Sequence, residues 1–277
     1  MPFNNDDYTS LKLKAKLNLN SIGYNWQKIR LYMIGLIFIG FFVGILSGFF
    51  GIGGGTILIP SLLFIGYEMK VAIGISVVQM VFGSVYGSYL NNKKGTLDVL
   101  MVLTIGLGGF VGALFSGVLS SYFSAKTLEG IFLFFAVFAL FRLYFKQKEF
   151  KEQQDANKFI LFSIGLVIGS LSMTIGIGGS ILLVPILVGF LHIPLKKATS
   201  AGLFFVVFSS VSGLISHLLN SDVDYVSGIV IGFASLLGVY LGIELKHKVD
   251  AQIQKKLLVV FYASIVLYLS NRIIFSS

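Results

Sequence analysis

Gly51-Ile52-Gly53-Gly54-Gly55-Thr56-Ile57-Leu58-Ile59-Pro60 and Gly176-Ile177-Gly178-Gly179-Ser180-Ile181-Leu182-Leu183-Val184-Pro185 are two copies of one pattern, each set inside apolar sequence. Glycine costs a helix roughly 1 kcal/mol per position relative to alanine, so three glycines within five positions interrupt one. At membrane depth irregular backbone persists only where it is buried in protein or lines a cavity. Two such breaks at corresponding places in the chain are the sequence sign of a transport site built from discontinuous helices.

The surrounding composition fixes the solvent. Of the 277 residues 56% are hydrophobic and only 12% are charged, with mean hydropathy +0.89. A soluble domain carries about 25% charged residues. A spanning helix needs about 20 mostly apolar residues, and such runs fill the chain from Leu31 almost to Phe275. The expected fold is therefore an all-α polytopic membrane protein, with no room for a large soluble domain. Residues 1–30 read as a cytoplasmic N-terminal tail, 31–145 as a first membrane repeat, 146–157 as a polar linker and 158–277 as a second membrane repeat. The N-terminus lacks an apolar stretch followed by a small-residue cleavage site, so no removable signal peptide is expected. The net charge of +9 sits beside apolar segments, where it follows the positive-inside bias and meets membrane lipids. No nucleic-acid-binding motif accompanies it. Zero cysteines exclude disulfides, thiolate metal sites and cysteine nucleophiles.

Five apolar segments per half are expected, at about 31–50, 52–66, 71–91, 98–121 and 127–145, and again at about 158–175, 177–192, 198–219, 225–245 and 252–275. The second of each set is short for a crossing and reads as an arm of a broken helix or a re-entrant hairpin, giving about eight to ten crossings. The repeat extends past the glycines: Ala72 to Ser76 falls opposite Ala198 to Gly202, Asp98 opposite Asp224, and Gly106 and Gly112 opposite Gly232 and Gly238. An odd number of crossings per half makes the copies inverted, an even number parallel. An eight-crossing arrangement divides the lysines, placing Lys93, Lys94 and the linker inside and Lys196, Lys197, Lys246 and Lys248 outside. Ten crossings put Lys93 and Lys94 outside.

A Gly-x-Gly-Gly-Gly-x-x-x-x-Pro element present twice, with Ser180 for the last glycine in the second copy, is followed by Asn91-Asn92-Lys93-Lys94-Gly95-Thr96-Leu97-Asp98 in one half and His217-Leu218-Leu219-Asn220-Ser221-Asp222-Val223-Asp224 in the other. In these motifs the chain resembles the sulfite exporter TauE/SafE family of membrane permeases over nearly its whole length beyond the tail. It departs at Asn91, where the late motif has histidine, at Ser221, where it has glycine, and at Ile75, where a G-T-S segment has threonine. The resemblance implies transport of small sulfur-containing anions, such as sulfite, sulfoacetate, thiosulfate or related organosulfonates, across the cytoplasmic membrane.

The chemistry of the breaks is compatible with an anion. A helix restarting after glycines exposes unpaired N–H groups and the positive end of its dipole. After Gly51 and Gly176, the expected donors are Gly53, Gly54, Gly55 and Thr56 in one half and Gly178, Gly179, Ser180 and Ile181 in the other. Ser76, Thr199, Ser200 and the Gln79 amide are the side chains expected to complete the cradle, with an interhelical hydrogen bond as the structural alternative for Gln79. His217 lies inside an apolar segment near its end and reads equally as a site residue or an interfacial one. Asp98 and Asp224 read as helix N-caps. The ladders Gly40/Gly44/Gly48, Gly83/Gly87 and Gly165/Gly169 read as close-packing surfaces, and Pro60 and Pro185 as shaping the helix after each break. Neither a metal nor a cofactor is expected. The partner set is a small anionic substrate and lipid, with a homo-oligomer left open. An intramembrane enzyme, which needs a catalytic pair in the bilayer, and a scaffold, which needs no breaks, are the competing classes. No P-loop for ATP is present.

Overall fold

The computed structural model describes residues 30–97, 99–144, 157–220 and 223–275. All regular structure among them is helical: α1 (Arg30–Phe50), α2 (Gly55–Phe64), α3 (Met69–Lys93), α4 (Val99–Ala113), α5 (Ser116–Tyr122), α6 (Ala125–Tyr144), α7 (Lys158–Thr174), α8 (Ser180–Gly189), α9 (Leu195–Asn220), α10 (Tyr225–Lys248) and α11 (Ala251–Phe275). The helices follow the apolar runs of the sequence within a few residues. The tail, most of the polar linker and the expected cap Asp98 lie outside the described residues. The other expected cap is in place: Asp224 Oδ1 accepts from Ser227 N at 3.0 Å, satisfying an orphan donor of α10.

By length and composition α1, α3, α9, α10 and α11 are able to cross a membrane, and a sixth span results if α4 and α5, bent by 42°, count as one. The sequence reading of eight to ten also counts segments that are shorter here: α2, α7 and α8 have 10 to 17 residues. At 1.5 Å per residue the ten-residue α2 and α8 reach about 15 Å, half of a hydrocarbon core about 30 Å thick. Their brevity comes from the glycines that start them and from Pro60 and Pro185 inside them, which remove backbone donors. Large apolar side chains, Phe134, Phe159, Leu237 and Leu267 among them, cover the outside.

Glycine faces bring four helices together in two close pairs. Gly40, Gly44 and Gly48 of α1 lie in order against Ile231, Ser235 and Val239 of α10, while Gly238 and Gly242 return the contact to Phe41 and Ile45. Gly165 and Gly169 of α7 lie against Ile105 and Gly109 of α4, answered by Gly108 and Gly112 against Phe162 and Leu166. Both pairs run parallel, and without side chains between them the backbones gain dispersion and Cα–H···O contacts. The third expected ladder also packs: Gly83 and Gly87 of α3 face Val239 of α10, with Leu203 of α9 over Gly87. The first helix of the chain thus packs on α10, and the first helix after the linker packs on α4.

Contacts at the helix ends show which termini lie together. The ion pair Lys94–Glu244 at 2.6 Å joins the ends of α3 and α10, and Lys196 Nζ donates to His247 O at 3.5 Å, adding the start of α9. Lys93, Lys94, Lys196, Lys197 and Lys248 therefore gather at one end. The start of α1 lies at the other, where Tyr32 hydrogen-bonds to Tyr67 and, at 2.9 Å, to Ser227. The structure does not divide these lysines as an eight-crossing arrangement does. The reason is that α2 runs back to the end from which α1 came.

A methyl group on Gly112 would overlap Leu166 O, whereas one on Gly130 meets nothing within 4 Å. Gly112→Ala is expected to lower the thermal unfolding midpoint in detergent by several degrees, an overpacking cost of about 1–3 kcal/mol. Gly130→Ala is expected to leave it unchanged or raise it, since alanine favours an exposed helix by up to about 1 kcal/mol.

Candidate functional site

α3 and α9 cross in the interior of the bundle, and the two glycine-rich breaks lie between them. Gly51 rests on the Thr199 backbone, Gly53 stands against Val206, and Gly54 against the Gln79 amide. Gly55 packs on Gly176 O and Ser76 Oγ, Gly178 on Met80 Sδ and Val206, and Gly179 on Phe205 and Ser172 Oγ. A Cβ on Gly53 would lie 3.6 Å from Ser180 Oγ, so the two breaks adjoin each other. Gly53 and Gly178 have φ of +73° and +81°, a region costing an ordinary residue roughly 1–2 kcal/mol. Conformation and close approach both demand glycine there.

The hydrogen bonds of the breaks are lopsided. Side-chain donors meet four of their carbonyls: Ser76 Oγ donates to Gly176 O at 2.8 Å, Ser209 Oγ to Gly178 O at 3.0 Å, and Thr56 Oγ1 reaches Ile177 O and Ile52 O at 3.4 Å, while Gly51 O and Gly53 O have no donor among the described residues. Just before the breaks Gln254 Nε2 donates to Phe49 O at 2.7 Å, and His217 Nε2 lies 3.3 Å from Met173 O. The amide groups fare differently. The first backbone bonds of the restarting helices come from Ile57 and Leu58 to Gly54 O and from Leu182 and Leu183 to Gly179 O. The N–H groups of Gly53, Gly54, Gly55 and Thr56, and of Gly178, Gly179, Ser180 and Ile181, have no acceptor among the described residues. Two buried side-chain oxygens beside them, Gln79 Oε1 and Ser180 Oγ, are also without a partner. The unspent donors are therefore the backbone N–H groups and the Ser180 hydroxyl, at the positive ends of two helix dipoles, while Gln79 Oε1 is an unspent acceptor beside them.

Carboxylates stay away from this region. Among the described residues Glu68 and Asp224 stand at helix starts, Asp250 immediately precedes α11, and Glu129 and Glu244 are paired with Arg272 and Lys94. No group of three His, Cys, Asp or Glu side chains able to hold a metal is present among the described residues.

The structure brings Gly51, Gly53, Gly54, Gly55, Thr56, Ser76, Gln79, Gly176, Gly178, Gly179 and Ser180 into one cluster. Gln79 also makes the interhelical bond read as its structural alternative, Nε2 donating to Ser235 Oγ at 3.1 Å. Thr199 contributes its backbone against Gly51, while its hydroxyl donates to Lys196 O at 3.0 Å. Two candidates lie elsewhere. His217 is buried and braces the end of α7, and Ser200 accepts from Lys246 Nζ at 2.9 Å. Sequence reading missed Gln254, which sits in the first turn of α11 like any interfacial polar residue, and Lys246, which reads as a flanking charge two residues before the end of α10 but is fully buried.

Two half-length helices started by glycine turns in the interior of a multi-pass helical bundle define a membrane transporter. The pattern of the sulfite exporter TauE/SafE family matches residues 36–269, and the chain belongs to that family. A Methanocaldococcus jannaschii protein named "probable membrane transporter protein" is 34% identical over 73% of this chain and 77% of its own length. The Bacillus subtilis proteins YunE and YdhB, with the same description, are 24% and 27% identical, over 87% and 75% of this chain and 96% and 87% of theirs. No solved structure matches the chain.

Removing the donor that braces the end of α1 has a defined cost. Gln254→Leu leaves Phe49 O buried and unpaired, a penalty of about 1–3 kcal/mol. The expected outcome is a lower thermal unfolding midpoint, with Gln254→Glu no better because a carboxylate has no N–H to give.

Proposed function

We propose that the protein is a permease for small sulfur-containing anions, sulfite, sulfoacetate, thiosulfate or related organosulfonates, which it passes across the cytoplasmic membrane. The observation that carries this reading is the surplus of unpartnered N–H groups at the two breaks, in a region that no described carboxylate enters. A sulfonate or sulfite presents three acceptor oxygens and little else, so it matches a cradle of backbone donors. Dipoles and amides hold it without the full charge of a lysine at contact distance, which keeps binding loose enough for release. The family description, which names sulfite export, supports the substrate class.

An anion leaving a cell that is negative inside moves down the electrical gradient, worth about 2.3 kcal/mol per charge per 100 mV. Export or facilitated diffusion therefore needs no coupling ion, and among the described residues the site offers no carboxylate to carry a proton or bind sodium. The matched φ values of Gly51 with Gly176, +67° and +70°, and of Gly53 with Gly178 support reading the two breaks as duplicates that share one substrate. A transporter for another small solute is the second reading. It is favoured by the departures at Asn91, Ser221 and Ile75.

The test is flux of radiolabelled sulfite, thiosulfate and a small organosulfonate in proteoliposomes with an imposed potential. Saturable, potential-dependent flux of at least one of them is expected. The Gly53→Ala/Gly178→Ala protein, monodisperse and with unchanged helicity, is expected to lose at least tenfold of it. Full flux in that folded variant overturns the role of the breaks, and movement of none of the three anions by the wild-type protein overturns the substrate class.

A further inference from the structure

Among the described residues Lys246 is the one lysine with none of its surface exposed, and no described carboxylate pairs with it. Its Nζ donates to Asn91 Oδ1 at 2.6 Å and to Ser200 Oγ at 2.9 Å, both neutral. Ser200 in turn lies 2.9 Å from Thr96 Oγ1 and donates to Lys196 O. The acid nearest in sequence, Glu244, is engaged by Lys94 instead. Burying an ammonium group without an opposite charge is costly, and proteins pair such charges or use them.

The groups around Lys246 offer more donors. Asn91, fully buried, spends its oxygen on the lysine and leaves Nδ2 without a partner, and one turn earlier on α3 Ser88 Oγ is buried and unpartnered too. Ser88 also lines an open, mainly apolar recess of 330 Å³ between α3 and α9, beside Val85, Tyr89, Leu97, Phe204 and Val207. Lysines 94 and 196 at the same end add positive potential, which draws anions towards it.

We propose that Lys246, with Asn91 Nδ2 and the hydroxyl of Ser88, is a second oxyanion site, separate from the glycine breaks and near the lysine-bearing end of the bundle. It selects for negative charge before the ligand reaches the weaker, uncharged cradle. The inference rests on the anion reading above and adds to it an amine that pairs with the oxyanion in its protonated form.

The experiment measures the thermal unfolding midpoint of the purified full-length protein in detergent, titrated with sodium sulfite or sodium thiosulfate against sodium chloride at equal ionic strength. Saturable stabilisation by an oxyanion is expected. Lys246→Met is expected to weaken the apparent affinity at least tenfold, read as the anion-induced shift from the variant's own midpoint without anion. Asn91→Asp keeps the lysine and the shape but supplies an internal carboxylate, and it too is expected to lose at least tenfold. Wild-type affinity in either folded variant overturns the Lys246 site and leaves the permease reading standing. Stabilisation by chloride equal to that by the oxyanions overturns the ligand class, and no response in wild type overturns both.

Discussion

In hydrocarbon every backbone group that a helix releases has to be met from within the protein, and this requirement governs the centre of the molecule. The chain gives up helical hydrogen bonds twice, and the repair is one-sided. Serine, threonine, glutamine and histidine side chains from α2, α3, α9 and α11 reach carbonyls in and around the breaks, while the amides of the restarting helices are left without acceptors among the described residues.

The same accounting explains the spacing of polar residues along α3 and α9. Ser76 and Gln79 lie on adjacent turns of α3 facing the two breaks, and Ser209 does the same from α9. The hydroxyls serve as donors to buried carbonyls, and the glycines let backbone approach backbone. Neither works alone: a side chain at Gly55 would push Gly176 O out of reach of Ser76.

The helical segments and the two breaks were legible in the sequence because apolar runs and glycine clusters are local signals. Asp224 was readable as a cap for the same reason. What depends on distant partners was not. Lys246 looks like a flanking charge until α3 and α9 are laid over it, since its burial comes from Asn91 and Ser200, far away in the chain. Gln254 has meaning only beside Phe49. His217 stood between two readings, and the contact with Met173 shows a third, bracing the helix that leads into the second break. The number of spans is blurred in the sequence because half-length helices are as apolar as full ones.

The parallel glycine faces carry a consequence for how the molecule is made. The face of α1 at Gly40, Gly44 and Gly48 is completed by α10 and that of α4 by α7, so the first part of the chain enters the membrane with two smooth, unfilled backbone grooves. Contacts this distant in sequence are slow to form because the chain closing them is long. Until synthesis reaches α7 the groove of α4, and until it reaches α10 that of α1, faces lipid or the insertion machinery. Biogenesis is therefore a matter of timing as much as of hydrophobicity, with the last helices of the chain fastening the first.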